Sequence, residues 1–401
     1  MKKTNNIFAA LQGDKAIWAI VALLALFSFL PVYSAASNLA YINGDGNTLK
    51  FLIKHVMHIM LGFGIMYAVH KVPHHYFKGL SVIFVPIVIL LLIITLAQGT
   101  TMAGANAARW IKIPIIGVGF QTSALASVVL MVYVARYLAR IKDKQVTFKE
   151  TLMPLWLPVG IMLILILPAN FSTTAIIFTM VIALVFLGGY PLKYIGLILV
   201  TGMVALTLFI LVAKAFPSAF NNRVDTWTNR IENFFNDEVD EDADYQSERA
   251  KSAIATGGLF GLGPAKSPHR NLLPQASSDY IYPLIVAEYG MIGGMFLVLL
   301  YLLLLFRVTV IAHKAKDVFA KLLVIGVGMP VVFQAFVNMG VAVGIFPVTG
   351  QTLPLVSSGG TSIWMTCLAL GIVLSVSAKH QIVKPKLEEE LNPLDILSET
   401  L

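Results

Sequence analysis

The chain has 401 residues, of which 57% are hydrophobic and only 12% are charged, and its mean hydropathy is +0.80. Soluble domains carry about 25% charged residues, so this chain has too few charges to cover a water-facing surface of its size. The composition therefore excludes a soluble enzyme, a nucleic-acid-binding module and a disordered scaffold. It predicts an integral membrane protein that crosses the bilayer several times.

Ten apolar stretches of the sequence approach the length of about 20 residues that a helix needs to cross a bilayer. We therefore predict an all-α polytopic membrane protein with about ten transmembrane helices. Residues 16–378 form the predicted membrane domain, between an N-terminal segment 1–15 and a C-terminal tail 379–401. The predicted spans lie at roughly 16–35, 50–70, 79–98, 119–139, 152–168, 172–189, 192–215, 280–306, 321–344 and 361–378.

The distribution of positive charge predicts the orientation of these spans. Eighteen of the 29 Lys and Arg residues fall in one alternate set of connections, which includes both termini. The short connections of the other set, 36–49, 99–118, 169–171 and 345–360, contain only Arg109 and Lys112. Because Lys and Arg collect on the cytoplasmic side of a membrane, both termini are predicted to be cytoplasmic. The net charge of +8 is thus explained by orientation rather than by binding of nucleic acid.

One connection is much longer than the others. Residues 216–279 form an extracytoplasmic loop between the seventh and eighth predicted spans, and long loops in compact folds usually carry function. An acidic run at 237–244 is most simply a solvated surface, and a loose divalent-cation site is the alternative. No other cofactor follows from the sequence.

Two acidic residues stand at or inside the eighth span. Asp279 lies at its outer lip and Glu288 lies nine residues further along, and an ionisable group at membrane depth is a functional candidate by default. Nine helical residues advance roughly 13.5 Å and turn the second side chain to the opposite face, unless Pro283 bends the helix. We therefore expect one carboxylate to act as a base and the other to be structural. A helix N-cap is the alternative role for Asp279, and a buried carboxyl that joins helices is the alternative role for Glu288.

Basic residues follow a glycine-rich segment just upstream of Asp279. The segment 256–263 contains four glycines, which let a backbone approach a ligand closely, and Lys266, His269 and Arg270 are candidates for binding phosphate. Arg109, beside Trp110, either anchors the chain at the membrane interface or contacts a lipid phosphate. The sequence alone leaves both readings of Arg109 open.

The outer connection 345–360 has no charge but many Pro, Gly and hydroxyl residues. Irregular backbone at membrane depth is tolerated only where it is buried in protein or lines a wet cavity, so we predict a re-entrant or cavity-lining segment. Ser357 and Ser358 in this segment have no obvious His partner, which argues against a hydrolase nucleophile.

Three blocks of sequence together resemble the SEDS family of shape, elongation, division and sporulation proteins. The first runs from Gly104 to Gln121 and includes Arg109-Trp110-Ile111, and the second runs from Tyr245 to Gly290 and includes Asp279-Tyr280-Ile281-Tyr282. The third runs from Gln334 to Ser362 and includes Asn338 and Ser357-Ser358-Gly359-Gly360. The stretch Thr349-Gly350-Gln351-Thr352-Leu353-Pro354 is more similar to the division member of the family than to the elongation member.

The resemblance implies a peptidoglycan glycosyltransferase that polymerises lipid II at the outer face of the bacterial cytoplasmic membrane. It also implies a class B penicillin-binding protein, a transpeptidase, as partner, together with other division proteins. The essential aspartate of the family maps onto Asp279, which is the predicted catalytic residue. The predicted substrate-binding residues are Arg109, Lys266, His269, Arg270, Glu288, Asn338, Ser357 and Ser358.

The chain departs from the family pattern at the start of the fourth span. Ala124 and Ser127 stand where the family usually has Glu and Lys. The departure motivates one alternative to the enzyme, a non-catalytic scaffold that activates a partner synthase. A lipid II flippase is a second alternative, and it would need charged groups along a path through the bilayer, where this sequence has almost none.

Overall fold

The computed structural model describes residues 11–42, 48–98, 110–112, 119–215, 241–273 and 275–390. Within these ranges, nine helices are long and apolar enough to cross a membrane, and a tenth apolar helix has 17 residues. The ten are α1 (Lys15–Ile42), α2 (Thr48–His70), α3 (Tyr76–Gln98), α4 (Thr122–Ile141), α5 (Phe148–Ile166), α6 (Phe171–Leu187), α7 (Leu192–Ala215), α10 (Ile281–Lys314), α11 (Val318–Ala342) and α12 (Gly360–Glu390). Two short helices, α8 (Glu241–Gly257) and α9 (His269–Leu272), lie between α7 and α10.

The ten apolar helices confirm the predicted all-α polytopic architecture, and each of the ten overlaps a predicted span. Two features were not predicted. A two-stranded antiparallel hairpin pairs Trp110–Lys112 (β1) with Gly119–Gln121 (β2), and α12 continues to Glu390 through the predicted start of the tail at residue 379. The cytoplasmic placement of both termini and the domain boundaries remain predictions.

The bundle is built around α11 and α12. The most apolar 18-residue stretch is 83% buried in α12 and 67% buried in α11, but only 6% buried in α7. The helix α7 therefore stands at the edge of the bundle, with side chains such as Met203 and Val200 exposed where lipid would contact them. The helix α11 carries Asn338, and the segment 345–359 connects α11 to α12, so this part of the candidate site rests on the core.

The helix α5 contains a π-helical turn at Leu152–Trp156. Proline has no N–H group, so Pro158 cannot donate the usual helical hydrogen bond to the carbonyl of Pro154. The hydroxyl of Tyr133 donates to that carbonyl instead, at 2.5 Å. A neighbouring helix thus satisfies a group that lipid could not, which is why proline is tolerated in this span.

A partly buried ion pair joins three helices at the end of the bundle that is predicted to be cytoplasmic. The guanidinium of Arg307 in α10 donates to both carboxylate oxygens of Asp14, which precedes α1. The N–H of Asp14 donates to the hydroxyl of Ser377 in α12, at 3.0 Å. The pair therefore ties the start of the chain to two helices of the core.

The described part of the long loop folds into a cap over the opposite end of the bundle. The helix α8 packs on the first turns of α10, and the small side chains of Ala250 and Ala253 allow the two helices to approach closely. This contact forms a second apolar cluster, separate from the main core, from Ala35, Ala250, Ala253, Leu273, Ala276, Tyr280, Leu284 and Ala287. The turn that carries Asp279 is anchored in this cluster by Ala276 and Tyr280.

Candidate active site

Asp279 lies in a turn, residues 275–280, that ends where α10 begins at Ile281. The N-cap position of α10 belongs to Tyr280, whose side chain makes no capping hydrogen bond, so Asp279 stands one residue before the N-cap position. The carboxylate of Asp279 is partly exposed and accepts a hydrogen bond from the hydroxyl of Ser278, at 2.7 Å. A carboxylate in this setting is accessible to a substrate hydroxyl.

The uncharged segment 345–359 holds this turn by donating hydrogen bonds to main-chain carbonyls of the turn. The hydroxyl of Ser357 donates to the carbonyl of Ser278 at 2.6 Å, and the N–H of Ser358 donates to the carbonyl of Ser277 at 2.8 Å. Ser357 is buried and also accepts a hydrogen bond from the N–H of Leu353. The side chain of Ser357 therefore positions the turn, whereas the side chain of Ser358 is exposed.

Asn338 connects the same turn to the core. Its side-chain amide, buried on α11, donates to the carbonyl of Asp279 at 2.8 Å and to the carbonyl of Gln351 at 2.6 Å. Gln351 in turn donates to the hydroxyl of Thr173 in α6, at 3.0 Å. The backbone on which the candidate base stands is thus fixed by a polar network that reaches two other helices.

Gly350 brings the segment close to the carboxylate itself. Its φ angle of +65° lies in the left-handed region that favours glycine, and a Cβ added there would lie 3.3 Å from Oδ2 of Asp279. A side chain at position 350 would therefore crowd the face from which a substrate hydroxyl could approach Asp279.

Glu288 is the centre of a second polar cluster, about two turns further along α10. Its carboxylate is buried, accepts a hydrogen bond from the hydroxyl of Ser34 in α1, and interacts electrostatically with Arg270. The guanidinium of Arg270 donates to the carbonyl of Ala265 at 2.5 Å. Glu288 therefore joins α1, α10 and the loop after the glycine-rich segment.

The glycine-rich segment packs against a break in α10 at Gly290, whose φ and ψ of 71° and −173° are not helical. In an unbroken helix the N–H groups of residues 291 and 292 would donate to the carbonyls of residues 287 and 288. Here the glycine-rich loop donates N–H groups to those two carbonyls, and its own carbonyls accept from the N–H groups of residues 291 and 292. The donors and acceptors are Leu262 to Ala287 (3.0 Å), Gly263 to Glu288 (2.9 Å), Met291 to Gly258 (2.8 Å) and Ile292 to Leu259 (3.3 Å).

Two of the four glycines of this segment, together with Gly290 of α10, are needed for contact between two stretches of backbone. A Cβ on Gly257 would collide with the carbonyl of Val286, and a Cβ on Gly261 would collide with the carbonyl of Glu288. A Cβ on Gly290 would in turn collide with the carbonyl of Leu259. The close backbone approach expected at these glycines is present, but the group that approaches them is the backbone of α10 and not a ligand. The bend in α10 also lies at Gly290 rather than at Pro283.

The basic residues beside the glycine-rich segment differ in exposure. Lys266 is exposed and His269 is buried. Burial disfavours the charged imidazolium and lowers the pKa of His269 below its ordinary value, and the positive charge of Arg249 adds to the effect. His269 is therefore neutral near pH 7, and Lys266 and Arg270 supply the positive charge of this loop.

The structure thus forms two groups from the predicted site residues. Asp279 lies with Asn338, Ser357 and Ser358, and Glu288 lies with Arg270, near Lys266 and His269. Arg109 lies outside the described residues, directly before β1. Sequence reasoning missed Gln351, Thr173 and Ser34, although a glutamine in an uncharged segment at membrane depth signals a hydrogen-bonding role.

A metal site has no support from the described side chains. Among them there is no group of three or more His, Cys, Asp or Glu residues that could hold an ion. The acidic run at 237–244, where a divalent cation was the alternative, lies outside the residues whose side chains the structure describes.

Comparison with known proteins identifies the family. A model of the FtsW, RodA and SpoVE family, described as cell cycle proteins, matches residues 14–382. The chain belongs to this family. It is the SEDS family that the three sequence blocks indicated, and relatives of the division type, FtsW, match over most of their length.

Three similar proteins show the extent of the match. The probable peptidoglycan glycosyltransferase FtsW of Hydrogenovibrio crunogenus is 30% identical over 366 residues, which cover 90% of each chain. A chain of a solved peptidoglycan synthase complex, described as coordinating polymerization and crosslinking, is 25% identical with a TM-score of 0.69, over 92% of this chain and 98% of that one. The rod shape determining protein RodA of Thermus thermophilus shares the fold, with 22% identity and a TM-score of 0.64 over 91% and 96% of the two chains.

Proposed function

We propose that this SEDS protein is a peptidoglycan glycosyltransferase of the FtsW type, which polymerises lipid II during cell division at the outer face of the bacterial cytoplasmic membrane. The observation that carries the proposal is the placement of Asp279. Its partly exposed carboxylate belongs to a turn whose main-chain carbonyls accept hydrogen bonds from Asn338, Ser357 and Ser358. The turn lies at the end of the bundle opposite the Asp14–Arg307 pair. The names and the coverage of the relatives support the same activity.

The chemistry requires one base and one site for a leaving group. The carboxylate of Asp279 takes the proton of the acceptor sugar's 4-hydroxyl, and the freed oxygen attacks the anomeric carbon of the donor. A new carbon–oxygen bond forms while the bond from that carbon to the diphosphate breaks, so the configuration inverts and no covalent enzyme intermediate is needed. Positive charge beside the leaving diphosphate stabilises the transition state, and Arg109, Lys266 and Arg270 are the candidates.

We assign supporting roles to the other predicted residues. Asn338 and Ser357 hold the backbone of the Asp279 turn, so they position the base rather than contact the sugar. Glu288 orients the loop that carries Arg270, His269 packs that loop on the cap, and Ser358 is exposed beside the turn. The crosslinking complex among the similar structures supports a transpeptidase of the class B penicillin-binding type as partner.

The test is strand formation from lipid II in proteoliposomes that contain the partner transpeptidase. Asp279→Asn keeps the shape of the side chain and removes the base, so polymer formation should fall by roughly 10²–10⁴-fold. Glu248→Gln, a change of an exposed acid on α8, is the matched control and should keep wild-type activity. Polymer formation by Asp279→Asn at the wild-type rate would refute the mechanism.

One observation favours a second candidate, the non-catalytic scaffold. At the start of α4 the chain has Ala124 and Ser127 where the family usually has a Glu and a Lys, and the small cavity beside Thr122 and Ser123 has an uncharged lining. The polar lining residues of that cavity are Thr95, Thr122, Ser123 and Asn170. If the chain is a scaffold, Asp279→Asn should complement a strain depleted of the protein, whereas an enzyme with this change should not.

A further inference from the structure

A second cavity lies at the end of the bundle that is predicted to be cytoplasmic, remote from Asp279. It is bounded by the connection between α4 and α5 and by the connection between α6 and α7, and its volume is about 550 Å³. This volume is within the range of small-molecule sites, about 300–1,000 Å³. The lining includes Lys142, Lys144, Thr147, Tyr190, Lys193 and Tyr194.

The wall of this cavity is aromatic and well fixed. Tyr190 is buried, and its hydroxyl makes hydrogen bonds with the hydroxyl of Thr151 at 2.5 Å and with the indole N–H of Trp156 at 3.2 Å. The ring of Tyr194 packs against Tyr190 and Phe148, with centroid distances of 5.8 and 5.6 Å. A wall held in this way can support a ligand without first having to be ordered.

The rim of the cavity is positively charged. Lys142, Lys144 and Lys193 line it, and the ammonium of Lys193 lies 4.8 Å from the centre of the Tyr194 ring. The lining contains no acidic side chain. Two acids occur nearby in the sequence. The carboxylate of Glu150 accepts the N–H of Thr147 in a capping box, and Asp143 is exposed.

We propose that this cavity binds the phosphate of an anionic ligand and that the ligand is a lipid headgroup of the inner leaflet. Three lysines line a space large enough for a headgroup, and basic pockets between helices on the cytoplasmic side bind such lipids. The cavity also opens at the start of α7, along which Leu192, Leu197 and Val200 are exposed. An acyl chain attached to the bound phosphate can follow this apolar stripe, which a free phosphate ion would not use.

The proposal is tested by native mass spectrometry of the full-length protein in detergent, with phosphatidylglycerol as the anionic probe and phosphatidylcholine as the neutral one. The test variant combines Lys142→Gln, Lys144→Gln and Lys193→Gln. The matched control combines Lys314→Gln, Lys316→Gln and Lys321→Gln, three exposed lysines at the same end of the bundle. A lysine near an anionic surface changes affinity by roughly fivefold. Three such lysines therefore predict a loss of about a hundredfold in phosphatidylglycerol binding for the test variant.

The control should bind phosphatidylglycerol as the wild type does, and phosphatidylcholine should bind weakly to all three proteins. Inorganic phosphate is then added as a competitor. If millimolar phosphate fails to displace phosphatidylglycerol, the result supports a lipid as the ligand. If phosphate displaces phosphatidylglycerol when the two are present at the same concentration, the result overturns the lipid assignment in favour of free phosphate. Equal phosphatidylglycerol binding by wild type and test variant overturns the site itself. A single Lys193→Glu change, checked for unchanged thermal unfolding, repeats the test if the triple variant folds poorly.

Discussion

The contact between Gly261 and the break in α10 can be tested by adding a single methyl group. In Gly261→Ala the new Cβ collides with the carbonyl of Glu288, and the φ of +78° is left-handed. The left-handed backbone costs a non-glycine residue roughly 1–2 kcal/mol. If the loop moves away to relieve the collision, the two hydrogen bonds that Leu262 and Gly263 donate to α10 are also lost, at about 1 kcal/mol each. We therefore expect a loss of about 3–4 kcal/mol in the stability of the loop.

Gly258→Ala is the matched control for this change. Its φ of +53° is also left-handed, but nothing lies within 4 Å of the added Cβ, so only the backbone cost of roughly 1–2 kcal/mol applies. The assay is the rate of tryptic cleavage after the exposed Lys266, which reports opening of the loop. The difference of about 2 kcal/mol between the two variants predicts roughly 30-fold faster cleavage in Gly261→Ala than in Gly258→Ala. Equal cleavage rates would show that the loop does not depend on this backbone contact.

Two further changes test the hydrogen bonds that Asn338 makes to the Asp279 turn and the ion pair between Asp14 and Arg307. Asn338→Ala leaves the carbonyls of Asp279 and Gln351 without their donor, so kcat for lipid II polymerisation should fall by roughly 10–100-fold. Gln334→Ala, one turn away on α11, removes a bond only to Thr352 and should cost less, so equal losses would count against a positioning role for Asn338. Arg307→Gln leaves the buried Asp14 without its cation and should lower the stability by about 1–3 kcal/mol in thermal unfolding, discounted because Arg307 is 30% exposed. Adding Asp14→Asn should recover at least half of that loss, and no recovery would show that the charge of Asp14 is not the cause.

The spans could be predicted from the sequence because the membrane imposes a simple rule. A helix that crosses lipid must be apolar over about 20 residues and must satisfy its own backbone, so composition along the chain is enough to find it. Asp279 could be selected in the same way, because acids near membrane depth are rare in this chain. The hairpin at residues 110–121 could not, since three-residue strands have too short a pattern to be recognised.

The contacts between the glycine-rich segment and α10 could not be predicted from the sequence. Gly261 and Gly290 are 29 positions apart, and nothing in their local sequence says that each leaves space for the backbone of the other. Glycine spacing signals a close approach but does not identify what approaches. The same limit applies to Asn338, whose polar side chain in an apolar helix indicated a role but not the carbonyls of Asp279 and Gln351.

The way in which the Asp279 turn is held decides how its variants should be interpreted. Three successive carbonyls, those of Ser277, Ser278 and Asp279, accept hydrogen bonds from Ser358, Ser357 and Asn338. All three are main-chain groups, which Asn at position 279 retains. Hydrogen bonds contribute about 1 kcal/mol each, so the turn keeps most of its support when the carboxylate is removed. A loss of polymerisation in Asp279→Asn, with unchanged thermal unfolding, therefore reports the missing base and not a displaced turn.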